Sequence, residues 1–176
     1  ILRGRSIERY AIRQKYWFEF KRENLTGRTT DKVKLGASSK ILLRKTGDRI
    51  IATYDDSGIF PEQSLYFLYD NQDQVSFKYL LGILNSRLLT FYYRTVSLTN
   101  KNSIAQVKKV DLDQLPIRTL NFADPADVAR HDRMVALVEQ MLDLHRRLPD
   151  AKTPQATRLL QQQIDLTDEA IDALVY

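Results

Sequence analysis

The 176-residue sequence predicts an α+β fold: a twisted mixed β-sheet with flanking helices over residues 1–122, followed by a C-terminal antiparallel helical hairpin over residues 123–176. Three observations carry this. The front half alternates short β-rich runs with glycine-containing turns. A three-and-four apolar repeat begins at Phe77. The last third holds two long amphipathic stripes joined by a short, proline-containing link.

The elements follow in order. Tyr16-Trp17-Phe18-Glu19-Phe20 is aromatic and strand-like. Lys21 to Ser39 is polar, with Gly27 and Gly36, and reads as a long loop. Lys40-Ile41-Leu42-Leu43-Arg44-Lys45 and Arg49-Ile50-Ile51-Ala52-Thr53-Tyr54 flank Thr46-Gly47-Asp48, which predicts a hairpin. Leu65–Tyr69 is a third strand. Ser76 caps a helix whose apolar positions are Phe77, Leu80, Leu81, Leu84, Leu88 and Phe91, and Asn85-Ser86 breaks it, with Ser86 capping a second short helix. Arg94 to Asn102 is polar and reads as a loop; Val107 to Arg118 reads as one or two short strands. Asp124-Pro125 and Thr153-Pro154 then start the two hairpin helices, each a cap residue followed by Pro at the first helical position.

Composition narrows the chemistry. With no cysteine, disulfides, thiolate nucleophiles and cysteine zinc sites are absent, which fits a cytoplasmic setting. No apolar run approaches the roughly 18–20 residues that span a bilayer, so no membrane partner is expected. No glycine pattern suits a phosphate cradle. The two histidines, His131 and His145, share one helical stripe and read as boundary residues; Asp127, four positions before His131, reads as its surface partner. Asp55-Asp56 precedes Ser57-Gly58 and reads as turn chemistry, not as a carboxylate site. Asp150, in the link between the hairpin helices, is a lone carboxylate and lacks the second that a metal-dependent nuclease needs. No Asn-Pro dipeptide occurs, so the Asn-Pro-Pro-Tyr loop of amino-directed DNA methyltransferases is not in this chain.

Charge is unevenly spread. Residues 1–49 carry 14 Lys and Arg against 5 Asp and Glu, a net of +9; residues 50–110 net +1; residues 111–176 net −5. The basic front is interleaved with Tyr10, Tyr16, Trp17 and Phe18. Such a front suits a polyanion, because guanidiniums clamp phosphates or read guanine by paired hydrogen bonds, while the aromatics also fit a plain core. A solvated basic face without a partner is the competing explanation for the charge alone.

Four stretches resemble a known family. Leu2-Arg3-Gly4-Arg5-Ser6-Ile7-Glu8-Arg9-Tyr10 resembles an LRGRDI-x-RY opening, with Ser6 where the family often has Asp. Lys40–Lys45 resembles a KI-apolar-apolar-R strand. Leu80 to Tyr93 resembles an LLGILNS-x-L-x-x-FYY helix, and Ile171–Tyr176 an ID-x-LVY ending. The family is the TaqI-like C-terminal specificity domain, the target-recognition region of adenine-specific DNA methyltransferases and fused restriction–modification enzymes. The resemblance implies a domain that grips double-stranded DNA opposite a methyltransferase domain of the same parent chain. S-adenosylmethionine and the chemistry then belong to that other domain, and this chain takes no cofactor, metal or small-molecule substrate and has no catalytic residue. The opening Ile1 and the finish at Val175-Tyr176 lead us to expect a piece of a longer protein, an adenine-N6 methyltransferase or a type II restriction enzyme. The hairpin is expected to act as a spacer or docking surface.

The family's base-reading residues vary with the target, so contact candidates rest on side-chain chemistry. They are Arg3, Arg5 and Arg9 in the opening; Arg28, Lys32 and Lys34 in the long loop; Arg44, Lys45 and Arg49 around the hairpin; and Arg94, Lys101 and Asn102 in the later loop. For Arg3 and Arg9 an ion pair inside the fold is the competing expectation. Two other functions remain open: a scaffold of the same fold that binds only proteins, and a nuclease whose site is not visible in the sequence.

Overall fold

A computed structural model describes residues 1–24, 29–69, 75–96 and 105–175. Ile7–Glu8 (β1) and Ala11–Ile12 (β2) form a two-stranded hairpin with Arg9-Tyr10 as its turn. Tyr10 has φ of 61°, a conformation that costs a non-glycine residue roughly 1–2 kcal/mol. Burial sustains it, since the ring is 3% exposed and stacks on His145 at 6.2 Å.

A three-stranded antiparallel sheet follows, with Lys40–Arg44 (β3) between Ala52–Asp55 (β4) and Leu65–Tyr69 (β5). Its central strand is buried on both faces. Ile41 and Leu43 enter the main core, whereas Leu42, between them, enters a smaller cluster with Leu2, Ile7 and Leu65. Both sheets are antiparallel where a mixed sheet was expected, and the one parallel pairing among the described residues is the isolated bridge between Leu2 and Pro61. The edge strands β4 and β5 each pair antiparallel with β3, which lies between them.

The helical half forms largely where its caps predict. Phe77–Asn85 (labelled α2; α1 is the short Lys32–Leu35) starts at Ser76, whose side chain accepts from Lys78 N at 3.1 Å. Asn85 is wholly structural, exchanging two 3.0 Å bonds with the main chain of Ala52 on β4. Ser86 breaks the helix and its hydroxyl accepts from Leu89 N, capping Arg87–Val96 (α3). Pro125–Arg147 (α5) and Pro154–Val175 (α6) are the hairpin helices, capped by Asp124 and Thr153 and linked by a 3-10 turn at Leu148–Asp150. Both contribute to one core with the sheet, α2 and α3, through Met134, Val138, Met141, Ile164 and Ile171 among others. Gly82 lets α2 and α5 meet closely: a Cβ there would collide with the Met134 sulfur and lie 3.0 Å from Val138 Cγ2.

Three local expectations fail. Tyr16–Phe20 forms no strand; Phe18 and Phe20 find ring partners, and Tyr16 meets Arg3 and Arg5, instead of a β-neighbour. Lys21–Ser39 contains α1, nucleated by the Asp31 side chain accepting from Val33 N and Lys34 N. Lys109–Asp113 (α4) replaces the strands read over Val107–Arg118. Pairing there stops at Val107, which donates to Lys45 O, and Lys108 N then bonds Asp111 to start a helical turn. No described helix is long and apolar enough to cross a membrane.

Candidate nucleic-acid interface

The opening turn, Gly4–Ser6, is fixed from three sides. Arg3 N donates to Ser6 Oγ at 2.9 Å, Gly4 N donates to Ser64 Oγ at 2.8 Å, and the Arg44 guanidinium donates to Gly4 O and Ile7 O at 2.9 and 2.8 Å. A fixed turn makes its outward side chains predictable in position. Arg3 and Arg5 both project to solvent, and their guanidiniums lie 4.8 and 5.5 Å from the centroid of one ring, Tyr16. Tyr16 in turn is tied to Ile1 by main-chain bonds in both directions. Lys45 reaches the same neighbourhood, because its N–H donates to Ser64 O and its ammonium sits 4.6 Å from the Tyr66 centroid. Lys32 repeats the motif 4.7 Å from Phe20, which packs edge-on to Phe60 at 5.3 Å. The result is a ledge of cations held on aromatic faces.

A second basic spot lies at the hairpin tip. Arg94, in the last turn of α3 and not in a loop, bonds both the carboxylate and the carbonyl of Asp48, and Arg49 approaches the same carboxylate at 3.6 Å. Slight burial of Asp48 opposes its ionisation, but the two guanidiniums outweigh it and hold the carboxyl below its ordinary range. One acid therefore positions two half-exposed cations, with net positive charge remaining. Lys34 is exposed, 4.0 Å from Asp31.

Two candidates turn inward. Arg9 pairs with Asp168 on α6 through bonds of 2.6 and 3.1 Å. Desolvation works against its charge, but Asp168 raises its pKa above the usual arginine value. Arg44 is occupied by the main-chain carbonyls of the opening turn. The ion-pair role weighed for Arg9 in the sequence is thus what its geometry gives. Arg28, Lys101 and Asn102 lie outside the described residues.

The other titratable groups have structural tasks. Asp127 is not a surface partner of His131: it is buried, accepting from Arg118, Arg130 and Asn121 N, while His131 Nε2 accepts from Ser76 N at 3.1 Å. Asp55 forms the expected turn, accepting from Ser57 N, Ser57 Oγ and Ile59 N, and also pairs with Lys40 at 2.8 Å with both side chains fully buried. That buried pair has no signature in the sequence. The described residues hold no group of three or more His, Asp or Glu able to take a metal ion. Tyr16, the ring shared by Arg3 and Arg5, is not itself charged; the aromatic run over residues 16–20 is its signal in the sequence.

No curated protein matches the chain. A family match does cover residues 1–117, which include the ledge, the hairpin tip, α2 and α3 and exclude the Ile171–Tyr176 motif. The chain belongs to the TaqI-like C-terminal specificity domain family.

Proposed function

We propose that the chain reads double-stranded DNA as the target-recognition domain of a restriction–modification protein. Family membership supports the DNA-recognition role, and the observation that carries it to particular residues is the sharing of the Tyr16 ring by two exposed arginines. A guanidinium stacked on a ring keeps its N–H edge free for a phosphate or a guanine edge while losing less side-chain freedom on binding. Arg3, Arg5, Lys32 and Lys45 form the main contact face, and Arg49 and Arg94 a second one.

The parent is an adenine-N6 methyltransferase, with or without a cleavage activity, acting in the cytoplasm. S-adenosylmethionine binds its methyltransferase domain, not this one. That division suits the chemistry: the target base must leave the stack, so one module holds the duplex while another receives the base.

The test is a salt titration of binding to a duplex selected from a randomised pool. Log affinity falls steeply and linearly with log salt, and Arg3→Ala and Arg5→Ala each reduce the slope by about 1. Affinity indifferent to salt, or absent for every duplex in the pool, overturns the assignment.

A further inference from the structure

Trp17 is 103% exposed, whereas the other aromatic rings among the described residues are at least partly covered. Leaving a tryptophan in water is costly, since burying such a ring removes well over a hundred square ångströms of apolar surface from solvent. The backbone around it explains how it stays out. Tyr16 is bonded to Ile1 on one side of it. On the other, Phe18 meets Phe20 edge-on at 6.3 Å, and Phe20 meets Phe60. Tyr16 and Phe20 pack against the body and Phe18 leans on Phe20, whereas Trp17 and Glu19 are left in solvent. The cations are arranged about the same segment, with Arg3 and Arg5 on Tyr16 and Lys32 on Phe20. An apolar ring projecting from the middle of a cationic row suits a ligand that carries both phosphates and stacked flat surfaces.

We propose that Trp17 is a stacking wedge, inserted at a base step of the bound duplex while the flanking arginines and lysine hold the phosphates on either side. The inference rests on the DNA reading above. Apolar side chains inserted between base steps locally unstack and kink a duplex, and indole offers the largest face for that purpose. The ring's location outside the fold leaves stability no claim on it.

Trp17 is the chain's one tryptophan, so its emission reports this position alone. The experiment titrates the 176-residue chain with the pool-selected duplex, following tryptophan emission and, separately, anisotropy of a dye on the DNA. Emission is quenched with the same midpoint as the anisotropy change. Trp17→Ala weakens binding roughly five- to 150-fold, the loss expected of one base–aromatic stack. Its salt slope and thermal midpoint stay unchanged, and Trp17→Phe recovers part of the loss. Emission unmoved at saturation, or a Trp17→Ala chain that binds as tightly as the parent, overturns the wedge while leaving the DNA assignment standing. A parent chain that binds no duplex overturns both.

Discussion

The opening nine residues send arginines to two different fates. On the ledge, Arg3 and Arg5 lie on Tyr16 and face solvent. In the seam between the β1–β2 turn and α6, Arg9 is locked to Asp168, beside Tyr10 and His145. Side-chain chemistry is the same in both places; the partner differs. An arginine with a carboxylate partner inside the fold has its charge already answered, whereas one on an aromatic face keeps it for a ligand. Positive charge in a sequence therefore marks a surface only after the acids of distant elements have been subtracted.

The comparison breaks most easily at its inward side. Asp55→Ala leaves Lys40 buried without its carboxylate, and unfolding free energy drops by about 3–5 kcal/mol in denaturant titration. A loss below 1 kcal/mol would mean that the pair is open to water. Arg9→Ala cuts the tether to α6 and costs about 1.5–3 kcal/mol by the same measurement. It leaves the salt slope of DNA binding unchanged if Arg9 belongs to the seam alone; a slope reduced by about 1 would move it to the ledge.

His145 sharpens the seam through pH. Burial foremost, then the charges of Arg13 and Arg9, hold its pKa below the ordinary 6.5. As pH falls through 6.5 the unfolded chain takes up a proton and the folded chain does not. Stability therefore declines towards acid, by at most about 1.4 kcal/mol per pH unit for this one group, until the depressed folded pKa is passed. His145→Gln removes that share of the decline; an unchanged profile would show that the ring ionises as readily folded as unfolded. The ledge gives the smallest response: Arg3→Ala and Arg5→Ala alter stability by no more than about 0.5 kcal/mol in the same titrations, though they weaken DNA binding. A larger loss would mean that these arginines, too, hold the fold.

What could be read from the sequence depended on how local its cause was. Ser76, Asn85-Ser86, Asp124-Pro125 and Thr153-Pro154 act on main-chain groups within a few residues, and all mark helix boundaries where expected. The β3–β4 hairpin was equally local. The short α1 and α4, started by Asp31 and Asp111, were local and still missed; the other failures came where a distant partner decides. Tyr16–Phe20 has the composition of a strand but is claimed by Phe60 and Ile1. Arg94 joins α3 and turns to Asp48, 46 positions away. Asp127, taken as exposed beside His131, is drawn under Arg118 and Asn121. On the ledge the cations could be named from sequence, but their aromatic supports could not be paired with them.

The Arg9–Asp168 tether spans 159 positions. In synthesis from the N-terminus Arg9 is made well before Asp168. Arg9, in the β1–β2 turn, can therefore find its carboxylate only after α6 has been made. The Gly4–Ser6 turn of the ledge, by contrast, is held by Ser64 and Arg44 and needs nothing from α6. Closing so long a loop is entropically costly, so the seam gains from every other contact that brings α6 to the sheet. The basic ledge can thus take shape on a growing chain before the seam behind it is fastened.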